Sequence, residues 1–184
     1  CELQLLLIFD ALCQKHYLTM WLDSGTLLGA VRHGGFIPWD DDIDVQMPRE
    51  EREKVIDIMG EEVKGLGLSL QEMKGYPLRG LQLLYKAEQT SLFLDIFSSD
   101  TIKTNDTLEQ VISHVFDYWK YYWAHKWDSP SLLVDKKQTI FNQDDHGEDE
   151  YIAQFLEVWE GAYRPIVYPK NKIFPLTTIN FEGH

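Results

Sequence analysis

The first apolar residues of the chain follow the period of an amphipathic helix. Leu5, Ile8, Phe9 and Leu12 are spaced so that they lie on one side of a helix that packs against a core. We expect this helix to end near His16.

A short buried strand is expected next, from Thr19 to Asp23. Ser24 and Gly25 break this strand, and residues 26–32 have the composition of a short helix. The pattern therefore predicts a strand, a glycine turn and a helix N-terminus in direct succession.

A strict alternation of polar and apolar residues predicts the following strand, after a glycine-rich loop at 33–39. The alternating residues are Asp42, Ile43, Asp44, Val45, Gln46 and Met47. A period of two places both carboxylates on the same face of this strand, and Pro48 ends it.

The middle of the chain predicts two more helices and two more strands. An amphipathic helix is expected from Arg49 to about Gly65, and a second helix from Thr107 to about Trp127. Between them, strands are expected at 81–86 and 91–97, joined by a polar turn at 87–90. These strands would extend the same sheet.

The second of these helices carries aromatic residues at helical spacing. Trp119, Trp123 and Trp127 are four residues apart, with Phe116 and Tyr122 nearby. Such stripes are typical of an internal packing face, and we interpret this one in that way. The alternatives are a lipid-facing surface and a platform for base stacking.

The last part of the chain predicts a polar loop at 142–150 and a further helix at 151–159. A helical C-terminal part is therefore expected. The chain opens within a helical pattern and stops shortly after Phe181, so we expect both ends to continue in a longer protein.

Composition narrows the class of protein. The 184 residues are 44% hydrophobic and 13% aromatic, which is enough for a sizeable core and predicts one domain with an appended helical part. The net charge of −13 argues against nucleic acid as a partner, because such binding relies on Lys and Arg to neutralise phosphates.

Cysteine content and hydropathy suggest where the protein works. Cys1 and Cys13 are too few for a disulfide framework or a four-thiolate zinc site, and both fall within the first predicted helix, with Cys13 near its apolar side. The sequence contains neither a signal peptide nor an apolar run long enough to cross a membrane. We expect a cytoplasmic protein, with peripheral association at the inner face of a membrane left open.

The residues most informative about chemistry are acidic. The run from Asp40 to Asp44 lies at the start of the alternating strand, and Asp95 lies within a later apolar strand. Two carboxylates about 4 Å apart repel by roughly 4 kcal/mol at an effective dielectric constant of 20, so a sheet gathers them only with a compensating cation. A small set of carboxylates suits Mg²⁺ or Mn²⁺, which also bind waters and substrate phosphates.

Three simpler interpretations compete with a metal site. The acidic run can be a solvated loop, and Asp95 can pair with a buried base. The run also places Asp40, Asp42, Asp44 and Glu51 at ligand positions of an EF-hand calcium loop, but that loop requires glycine where this chain has Val45.

A candidate phosphate site precedes the acidic run. Ser24, Gly25 and Thr26 combine a close-approach glycine with hydroxyls at a helix start, where free N–H groups favour anions. The guanidinium group of Arg32 can donate two hydrogen bonds to phosphate oxygens.

The stretch from Trp21 to Asp44, which reads WLDSGTLLGAVRHGGFIPWDDDID, resembles the signature of the LicD family. That family includes the fukutin-related proteins and belongs to the polymerase-beta-like nucleotidyltransferase superfamily. The strong part of the resemblance covers residues 17–49, and weaker likeness continues at 94–97, 174–176 and 181–183.

The resemblance implies an α+β fold, with a polymerase-beta-like core built on a mixed or antiparallel sheet flanked by helices. Residues 1–100 would form this catalytic core, and residues 101–184 a helical extension with a C-terminal strand block packed on it. The implied activity is transfer of a phospho-alcohol, such as phosphocholine or ribitol phosphate, from a CDP-linked donor to a glycan hydroxyl.

The resemblance also assigns roles to residues. Asp42, Asp44 and Asp95 match the catalytic metal ligands, which would hold two Mg²⁺ or Mn²⁺ ions. Gly25 and Thr26 match the superfamily's glycine–serine turn.

Ser24, Arg32 and Asp40 complete our set of substrate-binding candidates, with Asp40 binding metal waters or orienting the acceptor. Thr26 replaces the commoner serine, the interval from Thr26 to Asp42 is longer than in many superfamily members, and the zinc-binding cysteines of some fukutin-related members have no counterpart.

Two other functions remain open at the level of sequence. One is nucleotidyl transfer from a nucleoside triphosphate to a small molecule or protein. The other is a nucleotide- or metal-binding module without catalytic activity.

Overall fold

The computed structural model describes residues 2–72, 80–86, 91–125, 147–156 and 164–184. The described residues fall into two compact units. The first unit contains residues 2–72, 80–86, 91–98 and 177–184, and the second contains residues 99–125, 147–156 and 164–176. Helices and a mixed sheet are both present, which confirms the predicted α+β class.

Each unit combines helices with strands. In chain order, the elements up to β5 are α1 (Glu2–Lys15), β1 (Trp21–Leu22), α2 (Ser24–His33), β2 (Asp44–Pro48), α3 (Arg49–Arg52), α4 (Val55–Gly65), β3 (Ser69–Glu72), β4 (Leu81–Lys86) and β5 (Ser91–Thr104). After β5 follow α5 (Leu108–His125), β6 (Asp149–Gln154), β7 (Ile166–Pro169) and a 3₁₀ turn (Lys170–Lys172).

The sheet of the first unit has the strand order β1-β2-β5-β4-β3. The strands β1 and β2 are antiparallel, with Trp21 opposite Gln46, and β4 and β5 are antiparallel, with Gln82 opposite Asp95. The order places β2 and β5 side by side, although 42 residues (49–90) separate them in sequence. Asp44 and Asp95 therefore lie on adjacent strands.

The apolar residues of β2 form the centre of the first core. Val45 and Met47 are fully buried, together with Phe9 from α1 and Val63 from α4. Burial of these side chains removes apolar surface from water and anchors the strand that carries the acidic residues. Cys13 is also buried in this core, as its position on α1 predicted.

The predicted helix from Arg49 to Gly65 is wrong in one respect, because the structure divides it into α3 and α4. At the break, the Lys54 N–H donates to the Glu51 carbonyl, which is a tighter bond than the helical i→i−4 pattern. No residue of α3 is buried, so apolar packing contributes little to continuing the helix through this point.

The predicted helix at 151–159 is wrong over its described part. Residues Asp149–Gln154 form β6, which pairs antiparallel with residues 99–104 of β5. Tyr151, Ile152 and Ala153 are all buried there, so long-range pairing overrides the local helical pattern. The strand includes residues 149 and 150, which were predicted to belong to the loop at 142–150. Residues 142–146 and 157–159 of these two predictions lie outside the described residues.

The packing interpretation of the aromatic helix is confirmed for its described part. Along α5, Tyr118, Trp119 and Tyr122 are buried, and Trp123 packs against the core cluster of the second unit. Trp127 lies outside the described residues. Among the helices that the structure describes, none has the length and hydropathy needed to cross a membrane.

Candidate active site

The prediction for the segment before the acidic run is wrong in two respects. The strand β1 covers only Trp21–Leu22 and is half-buried, and Ser24 and Gly25 form the first turn of α2 instead of a turn that precedes it. We call Ser24 and Gly25 the glycine turn.

Asp23 is buried at the N-cap position of α2 in an extended conformation, and the Leu27 N–H donates to its carbonyl at 2.9 Å. A Cβ atom added at Gly25 would lie 2.6 Å from Oδ2 of Asp40. Gly25 therefore permits a close approach that any larger residue would prevent, and in this structure the approaching group is the Asp40 carboxylate.

Thr26 joins the glycine turn to the acidic strand. Its side chain is almost fully buried, and its hydroxyl oxygen accepts a hydrogen bond from the Asp44 N–H at 2.9 Å. This bond links α2 to the first residue of β2. Thr26 thus fixes the backbone from which the Asp44 carboxylate projects.

Asp44 and Asp95 are both buried acids on adjacent strands. Their exposed fractions are 5% and 8%, and the Asp95 N–H donates to the Ile43 carbonyl at 2.7 Å. Neither residue therefore belongs to a solvated acidic loop. The bond joins β5 to the residue that precedes β2, and the predicted convergence of the carboxylates on one cation stays a prediction.

The acidic residues influence one another's ionisation. Burial, and after it the negative charges of Asp42, Asp95, Asp23 and Asp40 in that order, raise the pKa of Asp44 to about 7. Because each charge acts at short range, these five carboxylates form one electrostatic cluster.

The other two predicted ligands respond in the same direction. Burial raises the pKa of Asp95 to about 6, with Asp42 adding to the rise and a hydrogen bond from Gln82 opposing it. The pKa of Asp42 is also raised, first by burial and then by the charges of Asp40 and Asp41. A buried set of mutually repelling acids is the electrostatic setting that a cation relieves.

The donor atoms of this cluster are of the type that a divalent metal ion binds, but the side chains are not yet arranged around one ion. Within the part of the chain that the structure describes, no three Asp, Glu, His or Cys side chains are already arranged to ligate one ion. The donor set nonetheless consists of hard carboxylate oxygens, and one of them, Oδ2 of Asp40, is buried with no hydrogen-bond partner in the described ranges. The residues suit Mg²⁺ or Mn²⁺, and ligation would draw the side chains together.

Three polar residues at the site were missed by the sequence analysis. Gln82 donates to Oδ1 of Asp95 at 2.7 Å, and Gln46 donates to Oδ2 of Asp23 at 3.1 Å. Gln46 is fully buried, and its Oε1 atom has no hydrogen-bond partner among the described residues. The alternation in β2 and β4 places both glutamines on the polar faces of their strands, which is a signal that could have identified them. Asp23 had no comparable signal.

The remaining candidates lie apart from the acid cluster or at its edge. Ser24 begins α2, with its hydroxyl 3.5 Å from Oδ2 of Asp23. Arg32 is exposed in the last turn of the same helix, about 10 Å along the axis from Gly25 at 1.5 Å per residue. Its role in phosphate binding stays a prediction.

Two known proteins match short segments of this chain. The lipopolysaccharide cholinephosphotransferase LicD of Haemophilus influenzae is 50% identical over 60 residues, which are 33% of this chain and 23% of that protein. The ribitol 5-phosphate transferase FKRP of Homo sapiens is 55% identical over 31 residues, which are 17% of this chain and 6% of that protein. The matched segments thus span less than a quarter of either relative.

A family likeness extends over most of the chain. The family described as LicD/FKTN/FKRP, nucleotidyltransferase domain, matches residues 17–184. This match includes the glycine turn, all the acidic candidates and the C-terminal block. The chain therefore belongs to the LicD/FKTN/FKRP nucleotidyltransferase family, which confirms the resemblance found in its sequence.

Proposed function

We propose that this chain catalyses the metal-dependent transfer of a phospho-alcohol from a CDP-linked donor to a hydroxyl of a glycan. The observation that carries the proposal is the burial of Asp44 and Asp95 on adjacent strands beside the glycine turn. The named activities of the two relatives, cholinephosphotransferase and ribitol 5-phosphate transferase, support a phospho-alcohol as the transferred group.

The acid cluster would hold the cations. Asp42, Asp44 and Asp95 would bind two Mg²⁺ or Mn²⁺ ions, with Asp40 close enough to orient their waters. When bound, such ions would neutralise the donor's phosphates and lower the pKa of the acceptor hydroxyl. The raised pKa values of Asp44 and Asp95 mean that protons compete with cations for these oxygens as the pH falls below about 7.

The surrounding residues hold the acids in place. Thr26 fixes the backbone of Asp44, and Gln82 fixes one oxygen of Asp95 so that the other is free to face a ligand. The Asp40 carboxylate lies against Gly25, so a donor phosphate that binds at the start of α2 would have to displace it.

The proposed reaction balances as a substitution at phosphorus. The acceptor oxygen forms a bond to the phosphorus that bears the alcohol, the bridging P–O bond of the donor breaks, and CMP leaves. The acceptor proton passes to a carboxylate of the cluster or to water. Nucleotidyl transfer would instead consume a nucleoside triphosphate and release diphosphate.

Product analysis distinguishes these reactions. The purified protein is incubated with CDP-choline, CDP-ribitol, CDP-glycerol or nucleoside triphosphates, with and without Mg²⁺, together with glycan acceptors. We expect Mg²⁺-dependent release of CMP from one CDP-alcohol. Diphosphate release from a triphosphate would favour nucleotidyl transfer, and tight donor binding without turnover would favour a binding module.

A further inference from the structure

The C-terminal residues of the first unit contact the loop that leads from α2 to the acidic strand. The Glu182 N–H donates to the Gly34 carbonyl at 2.7 Å, and the Phe36 N–H donates to Oε1 of Glu182 at 2.9 Å. One residue thus binds the loop backbone twice, on either side of Gly35. We call Phe181 and Glu182 together the C-terminal clamp.

An aromatic contact supports these two hydrogen bonds. Phe181 is buried, and its ring packs edge to face on Phe36, with the ring centroids 4.8 Å apart. Phe181 also packs in the core cluster that contains Val45 and Met47 of β2. The clamp therefore fastens the loop to the same core that supports the acidic strand.

The clamp supplies a hydrogen-bond acceptor where the carbonyl groups of α2 end. Gly34 ends α2 in a left-handed conformation and donates to Ala30 at 3.1 Å, and the Gly35 N–H reaches the Gly29 carbonyl at 3.4 Å. The next N–H group, that of Phe36, is the one that Glu182 accepts. The side chain of Glu182 thus accepts a hydrogen bond from a backbone N–H group that lies beyond the end of α2.

The Glu182 side chain lies so close to Gly35 that it occupies the space that a side chain at position 35 would need. A Cβ atom added at Gly35 would overlap Oε1 of Glu182, and its other near neighbours, Cδ at 2.6 Å and Cγ at 3.1 Å, belong to the same side chain. Gly35 therefore leaves space for this carboxylate. A methyl group at position 35 would expel it while touching nothing else so closely.

We infer that Glu182 is a positioning residue for the acid cluster. It holds the loop backbone at Gly34 and Phe36, only four residues before Asp40 and six before Asp42, and so sets where those carboxylates lie relative to Gly25. Displacements of about 1 Å at a reacting centre change rates by up to about a hundredfold, so a loosened loop would reduce turnover without unfolding the protein. Only the expected loss of turnover rests on the proposed function, and the contacts of the clamp do not.

Two substitutions test the inference from opposite sides of one contact. Glu182→Ala removes the acceptor, and Gly35→Ala displaces it. Each should lower kcat about tenfold and raise the Mg²⁺ concentration that gives half-maximal activity. Glu182→Gln keeps an oxygen at the same place and should restore activity to within about twofold of the wild type.

The double variant sharpens this test. Once Glu182 is Ala, a methyl group at position 35 no longer meets a carboxylate, so the two effects should not add. Additive losses, or a Glu182→Gln protein as impaired as Glu182→Ala, would overturn the positioning role. Glu61→Ala is a matched control, because its side chain is 90% exposed and pairs with Lys64 on α4.

Hydrogen exchange tests the clamp without any substrate. Amide exchange over residues 34–40 should be faster in Glu182→Ala and Gly35→Ala than in the wild type, and unchanged in Glu182→Gln. Unchanged exchange in the Ala variants would overturn the clamp itself. If exchange were faster in the two Ala variants but the wild type had no activity with any donor, the proposed function would fail while the clamp stood.

Discussion

The two faces of β2 are equally buried but differ in chemistry. Val45 and Met47 on one face are fully buried among apolar side chains, whereas Asp44 and Gln46 on the other are buried beside further acids and amides. Burial of the first face stabilises the fold. Burial of the second face raises the pKa of Asp44, so it destabilises the folded state at any pH at which Asp44 is ionised. The strand thus combines a stabilising face with a destabilising one, which is the pattern expected of a binding site.

Truncation on the apolar face should give the largest loss of stability. Met47→Ala leaves a cavity in the core next to Val45, and such substitutions cost about 2–5 kcal/mol. Chemical denaturation of the purified variant measures this loss. A change below about 1 kcal/mol would mean that the apolar face does not anchor the strand.

Neutralisation of an acid on the polar face should raise the free energy of unfolding, whereas truncation on the apolar face should lower it. Asp44→Asn keeps the shape of the side chain but removes a buried charge that four neighbouring carboxylates repel. At pH 8 without divalent cations we expect the free energy of unfolding to rise by about 1–4 kcal/mol, while the proposed transferase activity is lost. Denaturation in the presence of EDTA measures the stability, and a destabilised variant would show that ionised Asp44 makes favourable contacts.

A smaller effect is expected from pH. The pKa values of Asp44 and Asp95 are raised to about 7 and about 6, so the folded state binds more protons than the unfolded state between about pH 4 and pH 7. Stability therefore falls as pH rises through this range, because it depends on the protons held in the folded state. With EDTA present, we expect the wild type to lose about 1–2 kcal/mol more than Asp44→Asn between pH 5 and pH 8. Equal losses would contradict the assignment of the shift to Asp44.

Local patterns in the sequence predicted most of what positions this site. The bounds of β4 were predicted as the structure has them, and the start of β5 as well. The alternation predicted the two faces of β2, because side-chain direction depends only on the period of a strand. The prediction is wrong for Asp42, which lies before the first residue of β2, Asp44. That same period carries no information about what covers the face, so the burial of Asp44 could not be predicted from it.

Features that depend on distant partners were missed. The strand β6 forms because residues 99–104 of β5 pair with it, and neither the extension of β5 nor the pairing has a local signal. Glu182 lies 146 residues beyond its partner Phe36, so its role could not be read from sequence spacing. In both cases the physical cause is a contact that only the folded chain creates.

The central claim is that the buried acids of β2 and β5 form a cation site. Unfolding temperature measured against Mg²⁺ or Mn²⁺ concentration tests it directly, because a ligand that binds only the folded state stabilises it in proportion to the logarithm of its concentration. We expect the unfolding temperature to rise with the logarithm of the cation concentration in the wild type and in Glu61→Ala, and not in Asp44→Asn. An equal rise in the wild type and in Asp44→Asn, or no rise in either, would contradict the account.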